Sequence, residues 1–469
     1  MSSITFSGLA SGIDSDSIIE ATKTSRRLAG MPFENEITQN TNENSSLEEL
    51  NTKLLGLRDS LDGFLTLSGG SVSKTASSSK PEAVGISVTS AAKLAGTQIS
   101  VEQLARGGVL SFADRFPSTE DPIAPNLTSR SSLQITLGKG ADAKTSSIDI
   151  DSKTTLSTLT NAMNQKLEPD AFASVVNAGT ADAPEYFVVI NSAKSGVKDA
   201  WVDVAVPDEI KSAGVFAQPV IEQAQDAVVN VAGIGKVTRS SNTVKDLFPG
   251  VTLELKEAGT GPVFISSRND VDSTLGKVSE FVDRLNGIIS FSKDKSRVET
   301  VQGKKSTQLV YGDLAQTRVD EDILSQIKNA ISGSSYKAGT SSVNVFADLG
   351  ITIQRDGTYA VDEKTFRQAM DKDPQAVDSM LSSFSDKVAG ASGIIASYTR
   401  YQGQIDSSKQ ANDERTKSLQ SRLERLDNSI EQEAQTMRLL YARLESTIGG
   451  LNSQASTLTS MLGSLQKAA

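Results

Sequence analysis

From Leu419 to Leu465 the chain reads LQSRLERLDNSIEQEAQTMRLLYARLESTIGGLNSQASTLTSMLGSL, and positions 419, 423, 426, 430, 433, 437, 440, 444, 447, 451, 454, 458, 461 and 465 follow one another in strict steps of four and three. Leu419, Leu423, Leu426, Ile430, Met437, Leu440, Leu444, Leu451, Leu458, Met461 and Leu465 are apolar, and only Glu433, Thr447 and Gln454 interrupt them. An apolar stripe at heptad spacing is the seam of a coiled coil. A helix over 408–465 would be on the order of 85 Å long. Alone in water it buries nothing, so it needs partners, either in its own chain or in other subunits. Leu47, Leu50, Leu54, Leu57, Leu61 and Phe64 repeat the same spacing and predict a second, shorter helix. That helix can shield part of the terminal seam but not all of it. Leu47, Leu50, Leu54, Leu57, Leu61 and the apolar terminal positions are therefore the candidate residues for axial or oligomeric packing. The polar positions Glu433, Thr447 and Gln454 either set register or are merely tolerated.

Outward from these helices the pattern changes. Ser17-Ile-Ile-Glu20 has the form of a capping box, and Pro32 should break or restart the helix that follows. Residues 38–46 are polar and carry no stripe. Ile86 and Val88, Ile99 and Val101, Leu133 to Leu137, Ile148 and Ile150, Phe187 to Ile190 and Val202 to Val206 read as strands, with a helix from Thr154 to Lys166 among them. Val278, Phe281, Val282, Leu285, Ile288 and Ile289 make a helical stripe, as do residues Ile323 to Ile331. Ile351-Thr-Ile353, Asp356-Gly357 and Tyr359-Ala-Val361 predict a hairpin. Asp373-Pro374 predicts a helix start.

The fold class expected is α+β and multi-domain: helical, coiled-coil N- and C-terminal segments with an inserted β-rich, two-domain head. Expected boundaries are 1–45 for a disordered or helical N-terminal segment, 46–75 plus 272–407 for a helical leg with a β-hairpin, 76–271 for the head, and 408–469 for the C-terminal coiled-coil helix. Within the head, 76–130 plus 222–271 and 131–221 are the expected subdomains.

Composition narrows the function. The chain has 469 residues, no cysteine, no histidine and a net charge of −10. Such a chain repels nucleic-acid phosphates and anionic membrane surfaces. Without histidine there is no Ser-His-Asp triad, and without cysteine no thiolate nucleophile or disulfide framework. A tetrahedral zinc site would need carboxylates alone. The N-terminus lacks the basic and apolar regions of a signal peptide, and no apolar run reaches the roughly 18 residues that span a bilayer.

Short motifs fare no better as chemistry. Gly233-Ile-Gly235-Lys236 lacks the leading glycine and trailing Ser/Thr of a phosphate-binding loop, because Asn230 and Val237 stand there. Asp149-Ile-Asp151 is followed by Lys153, Thr154 and Thr160 where a calcium loop needs oxygen ligands, glycine and Glu. Ser77-Ser-Ser-Lys80 and Ser292-Lys-Asp-Lys295 match Ser-x-x-Lys without its partner motifs. No catalytic residue, cofactor or metal site is expected.

Three stretches resemble the bacterial flagellar filament-capping family, the hook-associated protein 2 proteins. The first is Phe6-Ser-Gly8-Leu9-Ala-Ser-Gly12-Ile13-Asp14, followed by Pro32. The second runs through Asn230, Gly233, Thr243, Asp246 and Gly250-Val-Thr-Leu253. The third comprises Gly312-Asp313, Leu349-Gly350-Ile351, Asp356-Gly357, Asp373-Pro374-Gln-Ala-Val377 and Tyr401-Gln-Gly403, ahead of the heptads. The resemblance implies a structural assembly factor, not an enzyme, exported by the flagellar type III system without a cleaved signal peptide. It implies an extracellular place at the flagellum tip, as a small homo-oligomeric ring that retains flagellin and promotes its folding and insertion. Implied partners are other copies of itself, flagellin, the hook–filament junction protein and a type III export chaperone, with no nucleic acid and no membrane insertion. Another axial protein (a junction protein or flagellin) and a tip adhesin are the alternatives.

Overall fold

The computed structural model describes residues 12–302, 307–336 and 343–467. The Phe6 to Leu9 part of the N-terminal motif lies outside the described residues. The chain is α+β and divides into two units. One is helical and runs to Leu65 and again from Leu275; the other is β-rich and spans Thr66–Thr274.

In the helical unit the first helix, Ser15–Arg27, begins on Asp14. The Asp14 carboxylate accepts the N–H of Ser17 at 3.1 Å and its hydroxyl at 2.5 Å. The capping box expected at Ser17–Glu20 is therefore not used. An ionised side chain three residues upstream is the stronger acceptor, and the helix starts earlier. A 3₁₀ turn, Leu28–Gly30, leads into the second helix, Met31–Leu61. Pro32 restarts the helix there, in the first turn, where its missing N–H leaves no bond unmade.

The core of this unit is aromatic at its centre. Phe64 meets Phe281 edge-on at 6.3 Å, Phe281 meets Phe384 at 5.8 Å, and Phe384 meets Phe346 at 5.2 Å. Edge and tilted contacts of this kind add to the burial of each ring. Helix Val271–Lys295 contributes Val278, Phe281, Leu285 and Ile288 to the buried set, and helix Val319–Gly333 contributes Ile323 and Ile327. The expected hairpin is present as Ile351–Ile353 paired with Tyr359–Val361. Gly357 takes φ +81° in its turn, a conformation that costs glycine little. Asn286 fastens the hairpin to the long helix, donating to the Tyr359 carbonyl at 2.8 Å and accepting its N–H at 2.7 Å. Asp373 caps helix Pro374–Ala389, accepting from the N–H of Ala376 at 3.0 Å. A further hairpin, Val298–Gln302 with Thr307–Tyr311, was not expected from the sequence.

The β-rich unit has two lobes. The first holds a five-stranded antiparallel sheet in the order Lys74–Ser78, Val263–Asn269, Thr97–Gln103, Ala227–Val231, Gly235–Arg239. A three-stranded sheet of Thr243–Phe248, Val251–Leu255 and Val84–Val88 shares its core, built on Val84, Ile99, Val229, Leu253 and Ile265. Lys74–Ser78 carries no alternating apolar pattern. Its backbone pairs in register with Ile265 to Asn269, so the ladder rather than side-chain pattern makes it a strand. The second lobe packs helix Leu156–Leu167, capped by Thr155, with a four-stranded and a three-stranded antiparallel sheet around Leu133, Ile135, Leu159, Met163 and Ile190. Where the unit's chain enters and leaves, the N–H of Ser73 donates to Thr274 Oγ1 at 3.0 Å and the N–H of Asp270 donates to the Ser73 carbonyl at 2.8 Å.

Asp170 anchors a turn of the second lobe between two lysines, Lys144 at 2.6 Å and Lys194 at 2.8 Å. Their hydrogen bonds, Lys144 first, hold its carboxyl at about 2 against an ordinary 3.8. A carboxyl depressed on folding stabilises the fold above its unfolded pKa, and that contribution fades as pH falls from about 4 to about 2. Asp170→Asn should lower stability at pH 6 and make no difference at pH 2. Trp201, the single tryptophan, lies in the same lobe, so urea unfolding followed by its fluorescence reads this directly. An equal deficit at both pH values would show that the ion pairs are not the cause.

Candidate assembly surface

The last helix, Gln404–Lys467, has 64 residues, which makes it about 96 Å long. It runs antiparallel to the second and then the first helix, and its contacts change character along the way. Near its start, Lys409 pairs with Glu48, and the seam then becomes polar. Asn412 donates to Glu43 Oε1 at 2.9 Å and to Asn44 Oδ1 at 3.0 Å, Asn44 donates to Asp413 at 2.8 Å, and Asn40 donates to Thr416 at 3.2 Å. Asn40, Glu43 and Ser46 are buried. Ser46 also donates to Asp313, which Lys295 holds at 2.9 Å. The stripeless stretch 38–46 is thus helical and faces an equally polar part of its partner. Asparagines within a seam specify one register, because only one alignment satisfies them.

Further on, the seam turns apolar. Leu419 is buried, Leu423 and Leu426 are half-buried, and Gly30 lies so close that a Cβ there would sit 2.8 Å from Leu423 Cδ2. Ile19 of the first helix is buried with Ile430 and Ala434 beside Met437. Ion pairs flank this contact: Arg415 with Glu36 at 2.6 Å, Arg27 with Asp427, Lys23 with Glu431 at 3.0 Å and Arg26 with Glu433 at 3.0 Å. The Glu431 hydrogen bond raises the Lys23 pKa, and Lys23 in turn holds Glu431 low. Such surface pairs align the helices more than they stabilise them.

Arg438 reaches Glu20, and the first helix starts at Ser15, about a turn further along. The stripe continues, and its side chains are exposed. Leu440 is 58% exposed, Leu444 42%, Leu451 58%, Leu458 60% and Met461 59%, and Leu439 and Leu462 stand beside them. From Ser446 to Gln466 there is no charged residue at all. Leu465 lies on the helix, its side chain outside the described set. The leucines Leu47, Leu50, Leu54, Leu57 and Leu61 are fully buried inside the unit's own core. Of the polar seam positions, Glu433 is paired with Arg26, and Thr447 donates to the Arg443 carbonyl in its own helix.

The chemical motifs resolve as ordinary structure. Residues 232–234 are the turn between two paired strands. Asp149 accepts from Ser132 and Arg130 at 2.5 Å each, and Asp151 accepts from the Lys153 N–H at 2.9 Å. Among the described residues no helix is long and apolar enough to cross a membrane.

Two family models match: the flagellar hook-associated protein 2 N-terminus over residues 11–107 and the flagellar hook-associated protein 2 C-terminus over 224–453. The chain belongs to the flagellar hook-associated protein 2 family. The family's N-terminal and C-terminal matches bracket the second lobe, which neither covers. A family relative from Escherichia coli K12 is 25% identical over 479 residues, spanning 98% of each chain. The Campylobacter jejuni hook-associated protein 2 is 23% identical over 425 residues, and the match spans 81% of this chain but only 64% of that one, less than two thirds of its length. In fold, the chain is similar to the crystal structure of the Escherichia coli flagellar cap protein FliD D1-D2-D3 domains. The TM-score is 0.59 at 22% identity, covering 78% of this chain and 99% of that one.

Asn412→Ala would leave buried Glu43 without its donor and should lower unfolding stability by about 1–3 kcal/mol. Leu458→Ala, on the uncovered stretch, should change it little. Chemical denaturation of both variants at low protein concentration tests this; equal effects would remove the polar layer as a register lock.

Proposed function

We propose that the protein is the cap of a flagellar filament, a structural role and not a catalytic one. Copies form a small ring at the filament tip, outside the cell, after export through the flagellar type III system. The ring retains arriving flagellin and promotes its folding and insertion. The terminal helices seat the ring on its axial neighbours, first the hook–filament junction protein and later flagellin, and an export chaperone shields them before secretion. The 76–271 region serves as the head, and 46–75 with 272–407 as the leg.

The observation that carries this reading is the exposed stripe at Leu440, Leu444, Leu451 and Leu458 on a helix whose first half packs against the chain's own first two helices. Burying one leucine of this kind is worth roughly 1.5–3 kcal/mol. A run of them on a rigid rod that carries no charge from Ser446 to Gln466 is a surface awaiting another molecule. Membership of the hook-associated protein 2 family supports the same conclusion.

Replacing Leu440, Leu444 and Leu451 together by serine should leave circular dichroism and the Trp201 fluorescence unchanged. A strain carrying only this variant should shed unpolymerised flagellin into the medium and lose motility, as a strain lacking the gene should. Normal filament growth by the triple variant would sink the anchoring role. Normal growth without the gene would sink the cap role itself.

A further inference from the structure

The chain crosses between the two lobes of the β-rich unit twice, outward between Gln103 and Val109 and back between Glu222 and Ala227. The two crossings are bonded to each other. The Arg106 N–H donates to the Gln225 carbonyl at 2.9 Å, and the Gln225 N–H donates to the Arg106 carbonyl at 3.2 Å. Gln103 Nε2 donates to the Asp226 carbonyl at 2.7 Å, and Gln225 Nε2 to the Leu104 carbonyl at 2.9 Å. Paired in this way, the crossings make a single strap. Two bodies on a strap swing about it unless a contact outside the strap holds them.

Each lobe supplies such a hold. In the first lobe Asn242 grips the outward crossing, accepting the Ala105 N–H at 2.7 Å and donating to the Ala105 carbonyl at 2.8 Å. In the second lobe the segment between Ser192 and Val202 reaches back. Ser195 Oγ donates to the Ser240 carbonyl of the first lobe at 2.8 Å. The Gly196 N–H donates to the Arg106 carbonyl at 3.2 Å, and the Val197 N–H to Asp226 Oδ1 at 2.7 Å. Gly196, at φ +87°, is pressed onto the first lobe: a Cβ there would lie 2.4 Å from Ser240 Cβ and 2.5 Å from Ser240 Cα. Only glycine fits so close an approach. The same segment is tied to its own lobe, where the Ala193 N–H donates to the Asp170 carbonyl at 2.9 Å.

We propose that Ser195, Gly196 and Asp226 form a clasp that locks the two lobes into one rigid body. The clasp engages the first lobe at Ser240 and both crossings, at Arg106 and Asp226. A swing about the strap either draws Ser195 off the Ser240 carbonyl or drives Gly196 into Ser240. The first costs a hydrogen bond and the second a steric clash. The consequence is mechanical. A contact made at the far end of the second lobe is passed to the five-stranded sheet of the first, whereas a hinged lobe would absorb it. The clasp belongs to the β-rich unit alone and does not depend on the cap reading.

The chain has no native cysteine, so Ser87→Cys with Gln165→Cys in the full-length protein places one spin label on each lobe, both at exposed positions. The labelled protein is diluted with unlabelled protein so that only distances within one molecule are read. Double electron–electron resonance should then give one narrow distance distribution. Gly196→Ala and Asp226→Ala, each added separately, should broaden the distribution and shift its maximum while the circular dichroism spectrum is kept. Asp226→Asn retains an acceptor for the Val197 N–H and should leave the distribution narrow. A broad distribution before any clasp substitution makes the joint a hinge and overturns the proposal. Folded clasp variants with the parent's narrow distribution overturn it as well. If Gly196→Ala does not fold, the comparison of Asp226→Ala with Asp226→Asn decides: a broader distribution for alanine alone supports the clasp, and equal widths overturn it.

Discussion

The architecture depends on one antiparallel contact, between the last helix of the chain and its first two. It joins residues 15–61 to residues 404–438, far apart in the sequence. The join has three zones with different physics. Ile19, Leu419, Ile430 and Ala434, buried between the helices, supply adhesion. The Asn40, Glu43, Asn412 and Thr416 layer supplies alignment. The flanking pairs from Arg415 to Arg438 supply orientation at little energetic value.

A helix pair held in this way has a defined end. The first helix stops at Asp14, where the carboxylate caps it. The terminal helix does not stop with it, and its heptads continue on the same face. Charge then stops after Glu445, within the open stretch that begins past Arg438. Charges on the proximal half keep it soluble while it waits on nothing further. Their absence on the distal half removes the repulsion that would oppose docking against a like-charged surface. One helix thus combines a finished intramolecular contact with an unfinished surface.

The leucine heptads announced both long helices, because apolar side chains at steps of three and four leave little alternative. Asp356-Gly357 and Asp373-Pro374 were equally legible, since each dictates backbone geometry locally. The polar layer was not. Asn40 and Asn412 look like solvent-facing residues until the partner strand of the coil is known, and periodicity analysis discards them. The Lys74–Ser78 strand was hidden for a related reason: its backbone is recruited by Val263–Asn269, and its serines say nothing about it. Asp14 outbid Ser17 as a cap because charge on the acceptor outweighs a matching motif. The assembly surface was half legible. The sequence marked every apolar heptad position alike, and only the fold separates Leu419 and Leu50, already enclosed, from Leu440 and Leu458, still open.

The join between the chain's extremities also dictates an order of events. The β-rich insertion is closed at its own threshold by Ser73, Asp270 and Thr274 and has two cores of its own. Its contacts form between residues no more than about two hundred positions apart, whereas the helical join spans nearly the whole polypeptide. Long loops close slowly. Loop closure therefore favours the insertion maturing before the helical join forms. The exposed end of the last helix is thereby tied to the slowest contact in the chain.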